Sequence, residues 1–154
     1  MLKAAIHAYE EANIFLALEN YDNFPVSELA HIIRAVGSEN VGACLDPGNS
    51  LSCNEDTERV IDTLAPLAFN LHVKDLMIFR EPYNMGFIVE GRACGQGQID
   101  LPQLINRTKK EAPHDINAIL ECWTPWQGSL EASLDVEDNW IKDSIRYLKT
   151  LIPN

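Results

Sequence analysis

Basic residues are scarce. The 154 residues include 12 Lys and Arg against 23 Asp and Glu, a net charge of −11. Binding a phosphate backbone needs clustered Lys and Arg, so no nucleic-acid partner is expected. Long apolar runs are also missing. No stretch approaches the roughly 20 residues of a membrane-spanning helix, so no membrane association is expected. Cysteines are few (Cys44, Cys53, Cys94 and Cys122), and none forms a C-x-x-C pair. The opening Met1-Leu-Lys-Ala-Ala-Ile-His-Ala-Tyr-Glu-Glu brings acids too early for a secretory signal. Reduced thiols in a cytoplasmic protein are the expectation.

What is present is a repeated figure. Four short apolar segments each end in a residue type that binds metals. Ile14-Phe-Leu-Ala-Leu ends in Glu19-Asn20, and Val41-Gly-Ala-Cys-Leu45 in Asp46-Pro47-Gly48-Asn49. Ala68-Phe-Asn-Leu ends in His72-Val-Lys-Asp75, and Ile116-Asn-Ala-Ile-Leu in Glu121-Cys122. A strand that ends on an acid and breaks at once presents a carboxylate at one rim of a parallel sheet. Glu19 to Asp46 is 27 positions and Asp46 to His72 is 26, close to the length of one β-helix-β unit. His72 to Glu121 is 49, but Leu76–Gly97 reads as an inserted hairpin of 22 residues; without it the spacing returns to 27.

Helical periodicity fills the gaps. A helix is predicted over 2–12. A second starts near Pro25 and Ser27, carries Val26, Leu29, Ile32, Ile33 and Val36, and stops at Gly37. A third opens at Glu55-Asp-Thr-Glu, with Val60, Ile61 and Leu64 as its apolar side, and Pro66 ends it. Asp100 caps a fourth. The last runs from about Val136 to Leu151, with Trp140 on its apolar stripe. Strands that are continuous apolar runs, alternating with helices, predict an α/β fold with a parallel sheet covered on both faces. One domain spanning 1–154 is expected.

The ordered set Glu19-Asn20, Leu45-Asp-Pro-Gly-Asn49, His72-Val-Lys-Asp75, Gly95-Gln-Gly97-x-x-Asp100 and Leu120-Glu121 resembles the sugar phosphate isomerase/epimerase family of xylose-isomerase-like TIM barrels. The likeness covers essentially the whole chain and corresponds to the C-terminal half of the barrel, about 250 residues being typical of a complete one. The resemblance implies parallel (β/α) units forming half a TIM barrel, with an inserted β-hairpin. It implies one divalent metal held by Glu19, Asp46, His72 and Glu121, with Glu19 and Glu121 also moving a proton between the faces of a sugar. Ketose 3-epimerases of the family usually carry a histidine where this chain has Asn49, and an arginine where it has Ile78, so the chain departs from the 3-epimerase pattern at both positions; Asn49 is assigned to substrate.

Carboxylates with one imidazole suit Mn²⁺, Mg²⁺, Co²⁺ or Zn²⁺. The expected activity is isomerisation or epimerisation of a small-molecule sugar or sugar phosphate through a metal-stabilised enediolate. Lys74 and Trp123 are expected at substrate, with Trp126 beside them, and Asp75 is expected to orient His72. Gly95-x-Gly97 offers a phosphate cradle or a plain turn, and the turn is the expectation. Cys44 and Cys122 are expected to fill core space, and His7, His31 and His114 to lie on the surface. The alternatives are a non-catalytic or truncated metal-binding half barrel and an apurinic-site endonuclease-like phosphodiesterase. The last needs several more histidines than the four present. A half barrel would leave the sheet face around Phe15, Ala17, Ala43, Asn70 and Ile119 bare, so a homodimer is expected.

Overall fold

The computed structural model describes residues 2–22 and 24–152; Asn23, read as part of a loop, lies outside them. The elements run α1 (Leu2–Glu11), β1 (Leu16–Glu19), α2 (Val26–Val36), β2 (Val41–Leu45), α3 (Thr57–Leu64), β3 (Ala68–Val73), β4 (Asp75–Arg80), β5 (Phe87–Arg92), α4 (Leu101–Glu111), β6 (Asn117–Leu120) and α5 (Leu130–Leu151). Short 3-10 turns occupy Asn49–Cys53 and Ala65–Leu67. The parallel sheet has the order β1-β2-β3-β6, and β4 and β5 pair antiparallel. This is the predicted α/β fold with its inserted hairpin. The chain divides into two compact units, Met1–His72 with Asn106–Ile119, and Val73–Ile105 with Leu120–Asn154.

In the first unit β2 is the central strand, flanked by β1 and β3, and all five of its residues are buried. Helices α2 and α3 contact it and each other. Their apolar stripes supply the core: Val26, Leu29, Ala30 and Ile33 from α2, and Val60, Ile61 and Leu64 from α3. Each larger side chain contributes about 1.5–3 kcal/mol by leaving water. Pro25 begins α2 without a side-chain cap. Instead the Val26 amide donates to Glu55 Oε2 at 2.9 Å, while Arg59 Nε donates to Glu55 Oε1 at 3.0 Å. An acid from before α3 thus supplies the negative charge that a helix N-terminus favours. Gly37, at φ +74°, ends α2 as expected.

Of the residues expected to lie bare, Phe15, Ala17 and Ile119 are exposed and Asn70 is half-buried, but Ala43 is fully buried. Ala43 lies on the central strand, enclosed between β1 and β3 and in register with Leu18 and Ala68. Gly42 beside it admits the Phe69 ring: a Cβ there would stand 2.4 Å from that ring. Phe69 meets Phe15 edge-on, with ring centroids 5.6 Å apart. His7, His31 and His114 are all exposed, as predicted.

In the second unit the hairpin pairs from Asp75↔Arg92 to Arg80↔Phe87. The last helix differs from its prediction, starting at Leu130 rather than near Val136. Its start is local: Gly128 turns the chain at φ +89°, and Ser129 caps by accepting from the Ala132 amide. Leu130 and Leu134 in the first turns are exposed, so apolar periodicity does not mark the start. Trp140, expected in the core, is only half-buried. No helix among the described residues is long and apolar enough to cross a membrane.

Candidate metal centre

Parallel pairing brings strand ends to one rim. Glu19 is the last residue of β1 and Asp46 the first after β2, and the register sets Glu19 beside Cys44. His72 is the penultimate residue of β3. His72 Nδ1 lies 3.5 Å from Glu19 Oε1 and 3.4 Å from Asp46 Oδ2. One ligand atom from each of the three lies within 4.8 Å of the others. Two ligands bound to one ion at about 2.1 Å stand about 3–4.2 Å apart. The separations and the hard oxygen/nitrogen donors therefore fit a divalent ion, and the group could hold one.

Asp46 is fully buried and its orientation is fixed. Its Oδ1 accepts from the amides of Gly48 and Asn49, both at 2.8 Å. That closes the Asp-Pro-Gly turn locally and directs Oδ2 toward His72. Asn20, not assigned a role from sequence, locks the same turn: its Nδ2 donates to the Asp46 carbonyl and to Ser50 Oγ, both at 2.9 Å, and its Oδ1 accepts from the Asp46 amide at 2.8 Å. The signal for it was its place directly after Glu19. Asn49, assigned to substrate, donates to Glu19 Oε1 at 2.9 Å and to the Asn20 carbonyl at 3.1 Å. It braces a site carboxylate.

In the second unit Lys74, Glu121 and Trp123 come together. Lys74, 1% exposed, sets Nζ 2.7 Å from Glu121 Oε1 and 4.1 Å from the Trp123 ring centroid. Trp123 Nε1 donates to the same oxygen at 3.0 Å. Trp126 is 68% exposed and does not join them.

Asp75, expected to orient His72, is buried at the base of the hairpin, where it opens β4. Its Oδ2 accepts from Gly95 and Gly97 at 2.9 and 2.8 Å, and its Oδ1 from Leu76 and Ile99 at 2.9 and 3.2 Å. The glycine pair is the expected turn, and it wraps an internal carboxylate. A Cβ on Gly97 would stand 2.1 Å from Asp75 Oδ1.

Cys44 is buried and Cys122 half-buried, and burial pushes the Cys122 thiol up. Burial also pushes Cys94 up, to about 11. A thiol held neutral to that pH is a poor nucleophile. Cys94 should therefore resist iodoacetamide at neutral pH until the chain unfolds. Unfolded, it ionises near its ordinary value of 9.0. Its contribution to stability is thus complete below about pH 9 and is lost as pH rises toward about 11. Alkylation mapped by mass spectrometry, with and without denaturant, checks this.

The family described as xylose isomerase-like TIM barrel matches residues 1–151. The 3-oxo-isoapionate decarboxylase of Pectobacterium atrosepticum is 35% identical over 153 residues, covering 99% of this chain and 55% of that protein. Two solved structures share the fold. A xylose isomerase-like TIM barrel protein from Mycobacterium smegmatis, in complex with magnesium, superposes with a TM-score of 0.68 at 15% identity, over 93% of this chain and 48% of that one. IOLI protein with a bound zinc atom gives 0.64 at 19% identity, over 99% and 55%. The chain spans about half the length of the proteins it matches. On this match, the chain belongs to the xylose isomerase-like TIM barrel family.

Proposed function

We propose that this chain carries the metal-binding rim of an isomerase or epimerase acting on a sugar or sugar phosphate. The observation that supports this is the convergence of Glu19, Asp46 and His72 from three successive parallel strands. Glu121 is the proposed fourth ligand, since it follows β6 as Asp46 follows β2, and β6 is next to β3 in the sheet order. A divalent ion bound there would polarise the substrate carbonyl and stabilise the negative charge that develops on its oxygen. Glu19 and Glu121 are the proposed bases: one takes the proton from the carbon beside the carbonyl, and the other returns it. Asn49, Lys74 and Trp123 are proposed to face substrate while they hold these carboxylates.

A second reading is favoured by the 35% identical relative, whose name is that of a 3-oxo acid decarboxylase. Loss of CO₂ from a 3-oxo acid leaves its electron pair on the carbon beside the carbonyl, delocalised as an enolate, which a proton then quenches. The same carbonyl-polarising site serves both reactions, and a carboxyl-bearing substrate needs only the acid. Incubation with Mn²⁺ in D₂O separates them. Deuterium incorporation into ketoses or sugar phosphates supports proton transfer, whereas CO₂ release from 3-oxo sugar acids without such incorporation supports decarboxylation. Neither reaction would refute the enzyme reading.

Glu121→Gln keeps the side chain's shape but removes its ability to take a proton. It is expected to lower deuterium exchange by about 10²–10⁴-fold with thermal unfolding little changed. Unchanged exchange would limit Glu121 to binding.

We also propose that the exposed Ala17 and Ile119, on the two edge strands, and Phe15, just before β1, are covered by a second copy of the chain. Open edges and wet aromatic side chains are features natural sheets avoid. Light scattering should give twice the 17.3 kDa chain mass; a well-folded monomer at micromolar concentration would refute the dimer.

A further inference from the structure

Glu121 is gripped by two donors at one oxygen. Lys74 Nζ and Trp123 Nε1 both reach Oε1, at 2.7 and 3.0 Å. The grip is itself built in. Lys74 is 1% exposed, and its ammonium also lies 4.1 Å from the Trp123 ring centroid, so each donor orders the other. Trp123 is held in turn from behind. Strand β5 approaches so closely that a Cβ on Gly91 would stand 2.2 Å from the Trp123 carbonyl oxygen. The hairpin backbone, the indole, the ammonium and the carboxylate form one packed series within the second unit.

We infer that Lys74 and Trp123 are positioning residues that fix the carboxylate plane of Glu121 for metal binding. The inference rests on the proposed role of Glu121 as fourth ligand. A Glu side chain has three rotatable bonds, and two donors converging on one oxygen remove the rotation that would otherwise average its direction. A ligand left unoriented by its hydrogen-bonding partners typically binds metal 10–100-fold more weakly. Lys74 has a second, opposite effect, because its charge repels a cation. Trp123 carries no charge, so its replacement isolates orientation.

The test is Mn²⁺ titration of the whole chain by calorimetry, with thermal unfolding measured in parallel. Trp123→Phe keeps an aromatic ring and loses the N–H; it is expected to bind Mn²⁺ about tenfold more weakly at an unchanged melting temperature. Lys74→Met should weaken binding as well, and Lys74→Arg, which restores a donor, should recover most of the loss. A merely structural role would move the melting temperature and show no such recovery. If Glu121→Gln weakens binding while Trp123→Phe and Lys74→Met bind as wild type, the positioning role is overturned and the ligand reading stands. If Glu121→Gln itself binds as wild type, the ligand reading fails and the positioning role falls with it.

Discussion

Asp46→Asn is expected to lower divalent-metal affinity by more than about a hundredfold, since loss of an orienting partner alone costs up to that much. The substitution is isosteric, and one amide oxygen still accepts from Gly48 and Asn49, as Oδ1 does in the native turn. The other position, facing His72 Nδ1 at 3.4 Å, becomes an NH₂ donor that no cation can use. The loss is therefore specific to the metal. Stability should change by about 1–2 kcal/mol, the scale of a perturbed hydrogen bond. Calorimetric Mn²⁺ titration beside a urea melt checks both parts: a variant that binds as wild type removes Asp46 from the site, and one that fails to fold gives the residue a structural role instead.

Asp75→Ala should be the most destabilising single change in the second unit. The carboxylate is 2% exposed and accepts from four backbone amides. Truncation leaves buried donors without an acceptor, at about 1–3 kcal/mol for each that water cannot reach. Two such donors already approach a large share of a total stability of about 5–15 kcal/mol. The expected result is a fall of about 3–6 kcal/mol in urea unfolding. Asp75→Asn should sit between the two, because its amide nitrogen would face amides that donate. A melt within 1 kcal/mol of wild type would mean the turn around Gly95 and Gly97 closes without its central anion.

The parts legible in sequence were those written locally. Strand ends could be read because each apolar run leads within a few residues to an acid or a histidine, followed after Asp46 by a Pro-Gly break. Their spacing then reported the repeat of strand and helix that brings Glu19, Asp46 and His72 to one rim. What escaped was held at long range. Asn20 bonds to Asp46 and Ser50, 26 and 30 positions away. Asn49 bonds back to Glu19 across 30. Asp75 is enclosed by glycines 20 and 22 positions downstream, and periodicity carries no trace of such pairings. The start of α5 escaped for the opposite reason. Its signal is a single Gly-Ser step, while the stripe that betrays a helix begins only after the exposed Leu130 and Leu134.

The central claim is that the strand-end residues share one divalent ion. Anomalous diffraction at the manganese edge, from a crystal grown with Mn²⁺, tests it most directly. The predicted result is one strong peak bonded to Glu19, Asp46, His72 Nδ1 and Glu121, at the roughly 2.0–2.3 Å typical of hard divalent ions. No peak there, or manganese found instead at the exposed acids Glu58 and Asp62, would contradict it.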